Sequence, residues 1–248
     1  MSRVFQELGE AATEIKRDLA KGPILRSTRV QHYDNIEIFG RERTGYEYTI
    51  MDGGMPFAPE DLLLLGQHYG FKPYIDHPHE MGSWLRAELH DRLYPRHDLH
   101  ISSAMTPTES INPLLQGMIE GKWPSYTYRE RLVGARNAMT TALNVSPDSR
   151  RAFWPIFTPQ DAVRAAAPTR IPCSLGYEVM IREVEGEPKL QMFYLSRSCD
   201  FDRFWLSDIW FAYRFGCEIA ASVGVEMGAV HHYIISLHSF TAGVEEIY

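Results

Sequence analysis

The spacing of apolar and polar positions divides the chain into a few amphipathic or buried segments. Apolar residues recur at helical spacing among charged ones from residue 4 to about residue 20, and Gly22-Pro23 follows, which predicts an amphipathic helix over 4–20. Asn35 to Phe39 alternate like a short strand closed by Gly40. Trp84, Leu85, Leu89 and Leu93 make one apolar face of a helix over 80–93. Residues 95–125 are rich in Pro, Ser, Thr and His and read as loop with short helices; 131–144 is helical and stops before Pro147. Two strands, Leu175–Arg182 and Leu190–Ser196, flank a turn at Glu185-Gly186-Glu187-Pro188. The segment 205–223 is apolar nearly all round, as a helix in the middle of a protein must be, and 229–237 reads as a buried strand. Because strands and helices do not alternate regularly, the pattern predicts α+β rather than a doubly wound sheet.

Composition narrows the function classes. The 248 residues are 44% apolar and 23% charged, ordinary for a globular chain with a substantial core. A net charge of −7 argues against nucleic acid as a partner, although a local arginine cluster can hold a small anion. No apolar run approaches the roughly 20 residues that span a bilayer, and the start lacks the apolar core of a secretory signal. Three cysteines without a CxxC pair suggest neither a disulfide framework nor a zinc site. The expectation is a reduced, cytoplasmic protein with no metal and no membrane contact.

A few residues carry chemistry. A free cysteine is ordinarily a small buried hydrophobe. Cys173, however, follows Pro172 and lies three residues after Arg170, and nearby cationic charge raises a thiolate fraction. Arg150 and Arg151 are adjacent, and Arg197-Ser198 ends an otherwise apolar strand, where an arginine needs an anionic partner. Asp208 sits inside the most apolar helix, so it is paired, protonated or in contact with a ligand. His231 and Tyr233 alternate on a strand and share a face, while His232 points the other way.

In this order, Pro147-Asp148-Ser149-Arg150-Arg151, Pro172-Cys173, Arg197-Ser198-Cys199-Asp200 and His231-x-Tyr233 resemble the thymidylate synthase superfamily, well over about 145–240 and weakly before it. The resemblance implies a single catalytic domain over 1–248, with a large mixed sheet flanked by helices and a homodimer packed through that sheet. It implies Cys173 as nucleophile, Arg197 and Ser198 as phosphate contacts within one subunit, and Arg150 and Arg151 as contacts to the phosphate held by the neighbouring subunit. Asp200 then holds the pterin of a folate, and His231 and Tyr233 the sugar hydroxyl. Ile36-Glu37-Ile38-Phe39-Gly40 resembles the strand after the family's mobile phosphate loop, which makes Arg29 the loop arginine, with Arg26 as fallback. Ala87-Glu88-Leu89 resembles the helix of the general acid/base, giving Glu88 that role, with Glu80 in an alternative alignment.

The departures refine the expectation. Ser174 stands where synthases proper carry His after the nucleophile, and Leu206-Ser207-Asp208 where they carry Pro-Phe-Asn. An aspartate there is similar to the hydroxymethylase branch, which acts on cytosine nucleotides, as is Asp208-Ile209-Trp210-Phe211-Ala212-Tyr213. The implied reaction is folate-dependent 5-hydroxymethylation of a cytosine nucleoside monophosphate, deoxycytidylate or cytidylate. Cys173 adds to the ring, methylenetetrahydrofolate supplies the carbon, and water adds to an exocyclic methylene. A protonated Asp208 matches the donor and acceptor edge of cytosine. The alternatives are a thymidylate synthase with an unusual base pocket and a silent nucleotide-binding relative.

Overall fold

The computed structural model of the chain describes residues 3–30, 33–94, 127–165 and 171–242, the side chains of 26–38, 241 and 242 excepted. Within them the elements run β1 (Arg3–Phe5), α1 (Leu8–Ala20), β2 (Ile24–Val30), β3 (Tyr33–Met51), α2 (Pro59–His68), α3 (Lys72–Asp76), α4 (Pro78–Leu93), α5 (Tyr128–Leu132) and α6 (Ala135–Val145). They continue with β4 (Phe153–Pro155), α7 (Pro159–Arg164), β5 (Ser174–Val184), β6 (Glu187–Asp200), α8 (Leu206–Val223) and β7 (Glu226–Ala242). The expected loop over 95–125 lies outside the described residues.

The strands form one mixed sheet in the order β1-β3-β7-β6-β5-β4, with β2 paired to β3. β6 and β7 are parallel, so the chain must cross over between them, and α8 is that crossover. The helix is buried on almost every side: Leu206, Ile209, Trp210, Phe211, Ala212, Phe215 and Ile219 are all within 1% of full burial. Each large side chain so buried stabilises the fold by roughly 1.5–3 kcal/mol. α8 ends at Gly224, whose φ of +74° supplies the left-handed cap. No described helix is long and apolar enough to cross a membrane.

Four boundaries differ from the sequence pattern, each for a local reason. The first helix starts at Leu8, because Val4 and Phe5 belong to β1, where Phe5 pairs with Ile50 and packs on Tyr48 at 6.2 Å. β3 does not stop at Gly40. That glycine lets two backbones approach, since a Cβ there would fall 2.3 Å from the Ser239 carbonyl oxygen, and the strand continues through buried Tyr48 and Ile50. The helix expected over 131–144 is two helices, broken at Gly134 with φ +80°; α5 opens on a capping box between Thr127 and Glu130. The turn between β5 and β6 is shorter than expected. Val184 pairs with Glu187, leaving Glu185 and Gly186 at φ +54° and +85°, the signature of a tight two-residue hairpin.

Candidate active site

β5 and β6 set the position of the nucleophile candidate. Their register pairs Ser174 with Ser196, so Cys173, just before β5, faces Arg197. The Arg197 amide donates to the Cys173 carbonyl at 2.7 Å, its Nε stands 3.5 Å from the Pro172 carbonyl, and its Nη2 lies 4.0 Å from Sγ. The sulfur is partly exposed, unlike buried Cys199. A reachable sulfur beside a guanidinium is the environment that favours a thiolate. Arg170 lies outside the described residues; among those described, Arg197 supplies a cation at the sulfur.

Behind the sulfur, α4 and α8 bring carboxylates and one cation together. Arg92, one turn after Glu88, donates from Nε to Glu88 Oε1 at 2.7 Å, and its Nη2 stands 4.0 Å from Asp208 Oδ1. Its guanidinium is buried between the rings of Tyr128 and Phe211, at 3.9 and 4.2 Å from their centroids, and its Nη1 reaches the Tyr177 hydroxyl at 3.5 Å. Burial alone would lower its basicity, but Glu88, Tyr177, Tyr128 and Asp208 outweigh that and hold it cationic. Glu80, by contrast, lies in the first turn of α4, about 12 Å up the helix axis from Glu88.

Hydroxyl chains complete the cluster. Ser174 joins Tyr128 at 2.9 Å to Tyr194 at 2.8 Å. Tyr194 stacks on His232, with ring centroids 4.4 Å apart. His232 is fully buried, with Nδ1 2.7 Å from the Tyr48 hydroxyl and Nε2 2.8 Å from Ser196 Oγ. Trp205 Nε1 donates to the Tyr48 oxygen at 2.6 Å, so the Tyr48 hydroxyl is left to donate to Nδ1, and the His232 proton sits on Nε2. Burial pushes this imidazole down to about 3, so it is neutral near physiological pH. Asp208 acts electrostatically on Tyr48, Tyr177, Tyr194 and Cys199, and burial pushes all four of those groups up. Cys199 feels Asp208, Asp200 and Cys173 together, which ties the two halves of the site.

At the end of β6, Ser198 is partly exposed and Asp200 pairs in register with His238. Burial pushes the Asp200 carboxyl up, and Arg203, 3.6 Å away, and His238 pull it part of the way back. A cavity of about 280 Å³ lies beside the next residues, lined by Lys16, Tyr69, Phe71, Phe201 and Asp202 among others, and none of the cluster around Cys173 and Asp208 lines it.

Not every expected residue joins this cluster. His231 and Tyr233 do share a face, but it is the one away from His232 and α8. His231 bonds Thr49 and Gln191 at 2.9 and 3.1 Å and stacks on Phe193, and Tyr233 is 43% exposed. The histidine that the structure puts next to Asp200 is His238, whose spacing to Phe240 repeats the His-x-aromatic pattern further along β7. Arg150 and Arg151 are exposed. Val179 donates to the Ala152 carbonyl, so this pair sits alongside β5 about seven residues, roughly 20 Å, from Cys173. Within one chain they do not reach the sulfur. Arg29 lies in β2 with its backbone opposite Asp34; its side chain, like that of Arg26, is outside those described. Arg92, Tyr128, Tyr177 and His238 were not singled out by the sequence pattern.

No model of a known protein family matches the sequence, and no curated protein does either. Solved structures do match the fold. Among them is the thermostable thymidylate synthase A from Bacillus subtilis, with a TM-score of 0.55 and 14% identity, over 98% of this chain and 83% of that one. The large mixed sheet flanked by helices is therefore the thymidylate synthase fold.

Proposed function

We propose that the protein is a folate-dependent one-carbon transferase acting on a pyrimidine nucleoside monophosphate, and specifically a 5-hydroxymethylase of deoxycytidylate or cytidylate. The observation that carries this reading is the carboxyl of Asp208, which the sequence resemblance makes the base-reading residue, grouped with Arg92, Tyr177 and Tyr194. An amide side chain there suits uracil, whereas a protonated carboxyl offers one acceptor and one donor to cytosine.

Arg197 and Ser198, at the mouth of β6, hold the phosphate. Cys173 forms a bond from sulfur to carbon 6 of the ring, and the electron pair shifts to make carbon 5 nucleophilic. Methylenetetrahydrofolate, when bound, supplies a one-carbon unit at the oxidation level of formaldehyde. Asp200 is the group suited to hold it: a largely buried carboxyl at the end of β6 can bond the amino-pyrimidine edge of a pterin. Glu88 orders the water that becomes the new hydroxyl and moves the protons, including the one that carbon 5 gives up, after which the Cys173 sulfur leaves carbon 6 and the thiolate is restored. His238, beside Asp200, replaces His231 and Tyr233 as the residue we assign to the sugar hydroxyl.

Arg150 and Arg151 fit this scheme only as contributions from a second copy of the chain, because their own Cys173 is out of reach. The apolar and aromatic face of β6 and β7 that carries Phe193, Tyr233 and Ile235 is where such a copy packs. The test is a kinetic comparison of deoxycytidylate, cytidylate and deoxyuridylate with methylenetetrahydrofolate, with the product mass recorded. A cytosine product heavier by a hydroxymethyl group supports the reading; a methylated uracil product, or none, overturns it.

A further inference from the structure

The register of β3, β7 and β6 lays their side chains out in rows. Glu42, His238 and Asp200 are Cα partners in one row, and Thr44, Ser236 and Ser198 in the next. Residues paired this way carry their side chains on one face, roughly 5 Å apart. The residues between them turn the other way. Arg41 and Arg43 bond the carbonyls of Gly22 and Asp18 at 2.9 and 3.0 Å, at the end of α1, and Ser239 donates to Asp202. Glu42, Ser236 and His238 therefore share the face away from the end of α1, and each is half-buried there.

Ser236 Oγ donates to Glu42 Oε1 at 2.5 Å, which ties the carboxyl across the two rows. Among the described residues, Glu42 Oε2 takes no hydrogen bond, and neither do the ring nitrogens of His238. The Phe240 ring, 4.8 Å from that of His238, has no polar atom to offer. The polar group next to His238 on the β3 side is thus the Glu42 carboxyl. A lone sugar hydroxyl needs only the imidazole. Two adjacent hydroxyls need a second partner, and a carboxyl oxygen accepts the proton that the second one offers.

We infer that Glu42 is a specificity-determining residue that accepts a hydrogen bond from the 2′-hydroxyl of the sugar, which makes the substrate a ribonucleotide, cytidylate in preference to deoxycytidylate. The placing of the sugar at His238 rests on the function proposed above; the arrangement of Glu42, Ser236 and His238 does not. A ribose pairs Oε2 as it covers it. A deoxyribose covers the same oxygen without pairing it, and an acceptor stripped of water in that way weakens binding. A bond between Glu42 and Ser236 that only joined two strands would treat both sugars alike.

Calorimetric titration of the full chain with cytidylate and with deoxycytidylate, without folate, reads the sugar alone. Wild type should bind cytidylate more tightly by about tenfold or more. Glu42→Ala should bring the two affinities within about threefold of each other, chiefly by weakening cytidylate, and Glu42→Gln, which trades one acceptor for a donor, should cut the ratio by about half or more. If Glu42→Ala does not fold, the wild-type and Glu42→Gln ratios decide. A wild-type ratio near one or in favour of deoxycytidylate, or a ratio that the variants leave intact, overturns the inference. Turnover with methylenetetrahydrofolate separates it from the function it rests on. Equal kcat/KM for the two cytosine nucleotides overturns the sugar reading and leaves the function standing. Ribose-selective binding lost in Glu42→Ala, with no turnover of any cytosine monophosphate, overturns the function and leaves the sugar reading standing, and binding of neither nucleotide overturns both.

Discussion

The guanidinium of Arg197 lies 4.0 Å from the Cys173 sulfur, while its own amide is bonded to the Cys173 carbonyl at 2.7 Å. One residue thus fixes the backbone of the nucleophile and places a positive charge beside it. Arg197 lies in β6 and Cys173 immediately precedes β5, so the pair sits at the end of the ladder that Ser174 and Ser196 begin.

Replacing Cys173 separates chemistry from binding. Cys173→Ala should lower turnover of the cytosine monophosphate by at least four orders of magnitude, about 5 kcal/mol of activation free energy, while calorimetry still detects nucleotide binding within a few-fold of wild type. Measurable turnover in this variant would remove the sulfur from the mechanism.

Asp208→Asn tests base recognition. An amide presents a fixed donor and acceptor that suit uracil, so the ratio of kcat/KM for deoxycytidylate over deoxyuridylate should fall by about two orders of magnitude or more, mostly through loss of cytosine. An unchanged ratio would take Asp208 out of the base pocket.

The exposed arginine pair tests assembly. Arg150→Ala/Arg151→Ala should raise the KM for nucleotide at least tenfold without altering thermal stability, because neither side chain is buried. Mixing this variant with Cys173→Ala under conditions of subunit exchange, assayed well below the wild-type KM, should restore about a quarter of wild-type activity, since half of the dimers are then hybrids with one intact site of two. A mixture no more active than the arginine variant it contains would place the arginines elsewhere.

His232 links stability to pH. Burial holds its folded-state value at about 3, against about 6.5 for an unfolded histidine. Between those values the unfolded chain binds a proton that the folded chain does not. The contribution of His232 is therefore complete above about pH 6.5 and is lost as pH falls toward 3, at up to about 1.4 kcal/mol per unit. Denaturant unfolding of wild type and His232→Gln should show a stability gap that is about 2 kcal/mol smaller at pH 5 than at pH 7.5. A gap independent of pH would mean that His232 takes up a proton as readily in the folded chain as in the unfolded one.

Much of the sheet and its crossover helix was legible because burial imposes period on sequence. The segment 205–223 could not be a surface helix, and α8 is buried as its composition requires. The strands around Glu185-Gly186 announced themselves by a turn pair able to take positive φ. What escaped was set by tertiary contact. Val4 and Phe5 fit a helix pattern as well as a strand, and only pairing with Ile50 decides between them. Gly40 reads as a stop, yet it exists to admit the Ser239 backbone. Arg92 looks like one more solvated helix charge until Tyr128 and Phe211 enclose it. His231 and His238 offer the same His-x-aromatic spacing, and the choice between them depends on strand register, which the spacing does not carry.

The most direct test of the account is whether a pyrimidine monophosphate exchanges its carbon-5 hydrogen with solvent on the enzyme when no folate is present. Addition of the Cys173 sulfur to carbon 6 makes carbon 5 basic, so deoxycytidylate or cytidylate labelled there should release its label with wild type and retain it with Cys173→Ala. Label retained by wild type on every pyrimidine monophosphate, or released equally by Cys173→Ala, would contradict the account.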